Sequence, residues 1–187
     1  MKSDIFNQSN NIEEILKEAE LFGRSCELTP PEANKIRLMA EEILGLTVRL
    51  FDDLRYDFFI ENSKQRFTLT LRAAALVDPD QKEKVLSLSS RGRNKSMGIL
   101  GKISEVFENL VTGEAGAYPF GGSFESHYGG ENPDTLFSLK YYQKNAPEEE
   151  KKPEWDGLEK SILAHFADDV TIGVSSNKVV VVATITI

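Results

Sequence analysis

The side chains of this sequence that could take part in chemistry are few and widely spaced. The chain has one cysteine, Cys26, and two histidines, His127 and His165. A single cysteine forms no disulfide within the chain, and no histidine lies near Cys26 in the sequence, so we expect a plain buried thiol. Neither histidine has a second ligand at a spacing typical of a metal site, and we expect no bound metal.

A basic, glycine-containing loop is the strongest anion-binding signal. Residues 89–96 read SSRGRNKS and include Arg91, Arg93 and Lys95, just before a predicted helix that starts at Met97. Helix N-termini bind anions through free N–H groups, and nearby cations add to that attraction. Two interpretations of this loop stay open: a solvated surface loop, or a site for phosphate or for a protein partner. The sequence has no G-x-S-x-G run of the kind that positions a nucleophilic serine.

The elements around these residues follow from hydrophobic periodicity. Helices are predicted over 12–22 (with Gly23 as its stop), 31–52, 81–88, 97–110 and 158–166, and Thr29 with Pro30 is expected near the start of the second. Strands are predicted over 56–61, 66–74, 136–143, 169–174 and 178–187, with turns at 62–64 and 175–177. This order predicts an α+β fold, a two-layer α/β sandwich with a mixed, mostly antiparallel sheet and helices on one face.

Length and composition set limits on domain number and on partners. A chain of 187 residues with 40% hydrophobic content is expected to form a single domain over 1–187. A glycine-rich insertion at about 111–155 is unusually long and is expected to be either mobile or functional. A net charge of −8 argues against binding to nucleic acid or to anionic membranes. No segment is apolar enough to span a bilayer, so we expect a cytoplasmic protein.

Four segments together resemble one known family. They are residues 21–50 (LFGRSCELTPPEANKIRLMAEEILGLTVRL), 66–80 (RFTLTLRAAALVDPD), 95–110 (KSMGILGKISEVFENL) and 165–187 (HFADDVTIGVSSNKVVVVATITI). In this order they are similar to the ATP-binding domain of the GHKL superfamily, and most of all to anti-sigma-factor-type serine kinases. The resemblance implies a GHKL ATPase-like version of the α+β sandwich.

The resemblance gives the second helix a place in the site. Glu41 matches the family's acidic residue, which acts as a general base or orients the attacking group, and Glu42 is the alternative one residue later. One helical turn beyond Glu41 the family places an asparagine that helps to hold magnesium. This chain has Gly45 there, which offers no side-chain ligand.

The resemblance also implies roles in nucleotide binding for the end of the predicted strand 66–74 and for the glycine-containing turn at 95–101. Ala73 matches the aspartate that reads the adenine amino group, and Ala75 matches a glycine of the same turn. The closing turn keeps Gly98 and Gly101, and Lys95 stands where phosphates would lie. Asp168 and Asp169 match a pair of acidic residues that precedes the family's last hairpin, and we interpret them as structural.

The resulting hypothesis is a regulatory or protein-interaction module with a GHKL ATPase-like fold and impaired or lost ATP binding. It would recognise a sigma factor or another signalling regulator of the bacterial type, and its cofactor would be none, or weakly held ATP and magnesium. We accordingly lean against an enzyme. Pairing of two copies through a sheet edge or the N-terminal helix stays open.

Two alternatives remain. The first is an active, divergent ATP-binding serine/threonine kinase in which Asp78 or Asp80 replaces the missing ligands, Glu41 is the base and the Lys95 loop holds phosphates. The second is a small-molecule sensor, since alanines at 73 and 75 make the pocket more apolar.

Overall fold

The computed structural model describes residues 2–5, 11–50, 56–74, 135–140, 144, 162–175 and 178–187. Its helices are α1 (Ile12–Ser25), α2 (Pro30–Leu50) and α3 (Ile162–Phe166). Its strands are β1 (Lys2–Ile5), β2 (Tyr56–Ser63), β3 (Arg66–Ala74), β4 (Thr135–Ser138), β5 (Asp169–Ser175) and β6 (Lys178–Thr186). The helices predicted over 81–88 and 97–110 lie outside the described residues.

The strands form one sheet in the order β1-β2-β3-β6-β5-β4. Every pair of neighbouring strands is antiparallel. Two hairpins, β2–β3 and β5–β6, are joined through β3 and β6, whose register runs from Arg66 opposite Thr186 to Ala74 opposite Lys178. The predicted α+β class and the predominance of antiparallel pairing are therefore confirmed.

The described helices cover one face of this sheet. Successive residues of a strand point to opposite faces of the sheet. The side chains on one face pack with buried residues of α1, α2 and α3 in a single apolar cluster. The strand members of that cluster are Phe58, Ile60, Phe67, Leu69, Leu71, Ala73, Val170, Ile172, Val179, Val181, Ala183 and Ile185. On the other face Val180 and Val182 form a separate buried pair. No described helix is long and apolar enough to cross a membrane.

The end of α1 differs from the prediction. Gly23 was expected to stop the helix, but α1 continues to Ser25. The left-handed residue is Glu27, at φ 65°, and the turn is closed by bonds from Glu27 N to Arg24 O and from Leu28 N to Gly23 O. This is the pattern of a Schellman motif, with glutamate where glycine is favoured.

Gly23 has a packing role instead. A Cβ built on it would lie 3.2 Å from both Cα and Cβ of Ala33 on α2. The absence of a side chain at Gly23 therefore lets α1 and α2 approach closely where they cross. Ala33 and Gly23 are both buried at this crossing.

Two strands extend the sheet beyond the prediction. β1 was not expected, because its sequence is polar, and it pairs with β2 from Lys2 opposite Glu61 to Ile5 opposite Phe58. β4 belongs to the segment 111–155, which was set apart as an insertion, yet it pairs with β5 as an edge strand of the same sheet. Its strand is shorter than the predicted 136–143, because the chain becomes helical at residues 139–140.

Candidate functional site

Helix α2 carries Glu41, Glu42 and Gly45 of the proposed site, and the Glu32 carboxylate caps its start by accepting two hydrogen bonds. Thr29 donates to Glu32 Oε2 from its backbone N at 2.8 Å and from its hydroxyl at 2.6 Å. These bonds, helped by the charge of Lys35, hold the pKa of the Glu32 carboxyl below its usual value. The carboxylate also lies in the first turn, where the helix dipole favours a negative charge. As predicted, Thr29 and Pro30 stand at the beginning of α2.

Glu41 and Gly45 lie one turn apart on the outward side of α2. Glu41 is exposed and Gly45 is half-buried, whereas Ala40, Ile43 and Leu44 around them are fully buried. A Cβ built on Gly45 meets no heavy atom of the described residues within 4 Å. The backbone therefore leaves room for a side chain at position 45, and packing against the described residues does not require glycine there.

Glu42 has a different environment from Glu41. Its Oε2 atom accepts a hydrogen bond from the backbone N–H of Leu163 at 2.6 Å. That N–H lies in the first turn of α3, where backbone donors have no partner within the helix. The carboxylate of Glu42 thus joins α2 to α3. Of the two neighbouring glutamates, Glu41 is the one whose carboxylate faces solvent.

Ala73 lies on the helix-covered side of the sheet, next to the last residue of β3. Its register partners are Tyr56 on β2 and Val179 on β6. The residue is 1% exposed and belongs to the main apolar cluster. An aspartate here would have its carboxylate close to this apolar cluster, where a charge without a bonding partner is costly.

Ala75, Asp78, Asp80, Lys95, Gly98 and Gly101 lie outside the described residues, as do Arg91, Arg93 and His127. The structure therefore positions Glu41, Glu42, Gly45 and Ala73 of the proposed site. No atom of Ala73 lies within 4 Å of a Cβ built at Gly45, so these two positions are not in direct contact.

The two aspartates before the last hairpin are held by hydrogen bonds. Asp168 Oδ2 accepts from the Thr186 hydroxyl at 2.7 Å, and Asp168 N donates to Thr184 O at 2.7 Å. The Asp169 carboxylate accepts from the Ser138 hydroxyl at 3.1 Å and from Lys140 N at 3.0 Å. Sequence reasoning treated both aspartates as structural, but it had no signal for the partners of their carboxylates, which lie 18 to 31 residues away along the chain.

The other candidate side chains have ordinary surroundings. Cys26 is half-buried against the apolar cluster, rather than buried as expected. His165 is exposed, with its ring centroid 4.9 Å from that of Phe166. The Phe166 ring also contacts Lys35, whose ammonium lies 5.7 Å from the ring centroid. This contact adds a second link between α2 and α3. Among the described residues, no group of histidine, cysteine and acidic side chains is arranged to hold a metal ion.

Comparisons of this chain with models of protein families, with curated proteins and with solved structures found no match.

Proposed function

We propose that this chain is a regulatory, protein-recognising domain with a GHKL ATPase-like fold in which ATP binding is impaired or lost. The observation that carries the proposal is Ala73. The position that would read adenine holds a methyl group, is 1% exposed and is part of the apolar cluster. An alanine side chain accepts no hydrogen bond, and the loss of a charged partner is worth about 1.5–3 kcal/mol.

Gly45 supports the same proposal, because it lacks a side chain that could bind magnesium. Magnesium requires oxygen donors in near-octahedral geometry, and the family takes one from the side chain at this position. Gly45 supplies none, although the described residues leave space for one. Because glycine weakens a helix interior, its presence without a steric need is consistent with a site no longer maintained for metal binding.

The acidic residues that the resemblance singled out give little support to a substitute chemistry. Glu42 bonds the backbone of α3, and Asp168 and Asp169 bond Thr186, Ser138 and Lys140. Glu41 keeps an exposed carboxylate and is the described residue that the kinase alternative would use as its base. On this proposal the domain acts by recognising a protein such as a sigma factor or another signalling regulator.

The test is calorimetric titration of the full chain with ATP and with ADP, each with and without magnesium. We expect any binding to be weaker than about 1 mM, which corresponds to about −4 kcal/mol. Micromolar binding that depends on magnesium would overturn the proposal and favour the divergent kinase.

Should such binding appear, the base can be tested directly. On the kinase alternative Glu41→Ala removes phosphoryl transfer, because the attacking group loses its base or its orientation. Glu18→Ala is a matched control, since Glu18 is likewise an exposed helical glutamate, on α1. Equal turnover in both variants would count against a catalytic Glu41.

A further inference from the structure

The side chain of Asp169 connects two parts of the chain that are distant in sequence. It is the first residue of β5, and both of its carboxylate oxygens lie 3.1 Å from the hydroxyl of Ser138, the last residue of β4. Oδ1 also accepts from Lys140 N at 3.0 Å. Besides the backbone ladder, these bonds hold the end of β4 against β5.

On β6, directly opposite Asp169, the hydroxyl group of Thr184 has no hydrogen-bond partner among the described residues. Thr184 Oγ1 is buried and makes no hydrogen bond within the described part of the chain. Thr184 is the register partner of Asp169, and residues directly opposite in an antiparallel pair point to the same face. A buried hydroxyl without a partner is unfavourable, so a carboxylate one strand away is a natural acceptor for it.

We propose that Asp169 is a two-position latch. In the described position its carboxylate accepts from Ser138 and Lys140 and keeps β4 closed on β5. In the second position it accepts from the Thr184 hydroxyl instead, and the end of β4 is released. The inference does not depend on whether the chain binds a nucleotide.

β4 is the element free to move in this exchange. It has four residues and pairs with β5 alone among the described strands, whereas β5 is held to β6 through seven register pairs. Leu139, which is 4% exposed in the apolar cluster, opposes release and keeps the closed position the favoured one. Release would leave main-chain N–H and C=O groups unpaired along the outer edge of β5, the geometry to which an extended polypeptide strand adds.

Amide hydrogen exchange of the full chain tests the latch, because exchange reports how often a segment opens. Thr184→Val keeps the shape of the side chain and removes the hydroxyl, and therefore the second position. We expect exchange of residues 135–140 to slow by about three- to tenfold, relative to exchange of the β2–β3 hairpin measured in the same sample. Asp169→Ala removes both positions, so it should speed exchange there, and adding Thr184→Val to it should have no further effect on these residues.

Asp168→Ala is the matched control, since the carboxylate of this neighbouring residue accepts its hydrogen bond from Thr186 on β6, and not from β4, in the described part of the chain. It should leave exchange of residues 135–140 unchanged. The latch is refuted if Thr184→Val leaves exchange of these residues unchanged or speeds it. A slowing that is equal in the β2–β3 hairpin refutes it as well, because the hydroxyl would then affect only global stability. These readouts need Thr184→Val alone, so the test stands even where Asp169→Ala does not fold.

Discussion

At the residue scale, two helical glycines show opposite reasons for the absence of a side chain. Gly23 is needed for close packing, because an added Cβ would lie 3.2 Å from Ala33. Gly45 is not, since an added Cβ meets nothing within 4 Å among the described residues. The same residue type therefore permits a close helix crossing in one place and leaves open space in the other.

This contrast gives a stability prediction. Gly45→Ala should stabilise the protein by about 0.5–1 kcal/mol, because alanine loses less conformational freedom in a helix and finds room here. Gly23→Ala is the matched variant and should destabilise it, because the helices must move apart. Urea unfolding of both variants measures the difference. A destabilising Gly45→Ala would show that the space above residue 45 is occupied.

Glu32 gives a prediction on pH. Its pKa is lowered below the ordinary value of 4.5, first by the hydrogen bond from the Thr29 hydroxyl and then by the one from the Thr29 backbone. A lowered folded-state pKa means that the carboxylate contributes stability above pH 4.5, and that this contribution is lost as the pH falls through the folded-state pKa.

Glu32→Gln should therefore be less stable than the natural chain at neutral pH, and this deficit should shrink as the pH falls below 4.5. Urea titrations of the two proteins at several pH values measure it. A deficit that stays constant with pH would show that the charge of Glu32 does not contribute.

At the element scale, the β2–β3 hairpin turns through residues that do not favour its geometry. Lys64 and Gln65 have φ of 53° and 67°, both in the left-handed region. A two-residue hairpin loop of this kind favours asparagine followed by glycine. The sequence suggested a turn at 62–64, one to two residues early, because Asn62 and Ser63 are common turn residues.

Replacing the two residues with the favoured pair should stabilise the hairpin. Lys64→Asn with Gln65→Gly is expected to raise the free energy of unfolding by about 1–2 kcal/mol, since the strain of two left-handed residues is relieved. Gln65→Ala, which also lacks the long side chain but keeps a Cβ, is the control and should give no such gain. Thermal unfolding of the three proteins is the measurement.

The long periodic elements were predictable from the sequence, whereas the edges of the sheet were not. β3 was predicted with its observed bounds, because its apolar side chains alternate over the whole strand. β1 and β4 have four residues each and depend on backbone pairing with β2 and β5. Such pairing with a distant strand is not predicted by any local sequence pattern. At the proposed site, Gly45 and Ala73 were singled out by residue type alone. The hydrogen bond from Leu163 to Glu42 spans 121 residues and required the structure.

At the scale of the whole molecule, ligand binding and stability are linked. A ligand that binds the folded state at 100 times its Kd adds about 2.7 kcal/mol of stability. On the proposed function, ATP with magnesium at about 0.5 mM, well below the expected Kd, should therefore leave the thermal midpoint nearly unchanged. The matched control is the same concentration of magnesium and triphosphate without the nucleoside. A rise of several degrees with ATP alone would argue for a retained nucleotide site.

The position of β6 in the sheet has a consequence for the order in which the chain can fold. β6 follows every other described element in the sequence, yet it lies between β3 and β5, near the centre of the sheet. Its pairing with β3 joins residues more than 100 positions apart, from Ala74 with Lys178 onwards. Contacts so distant in sequence form slowly, because a long loop must close before they are made. During synthesis, neither the β5–β6 hairpin nor its pairing with β3 can form until the ribosome has delivered residues 178–186. A nascent chain stopped short of them leaves the backbone N–H and C=O groups along that edge of β3 without β6 as their partner.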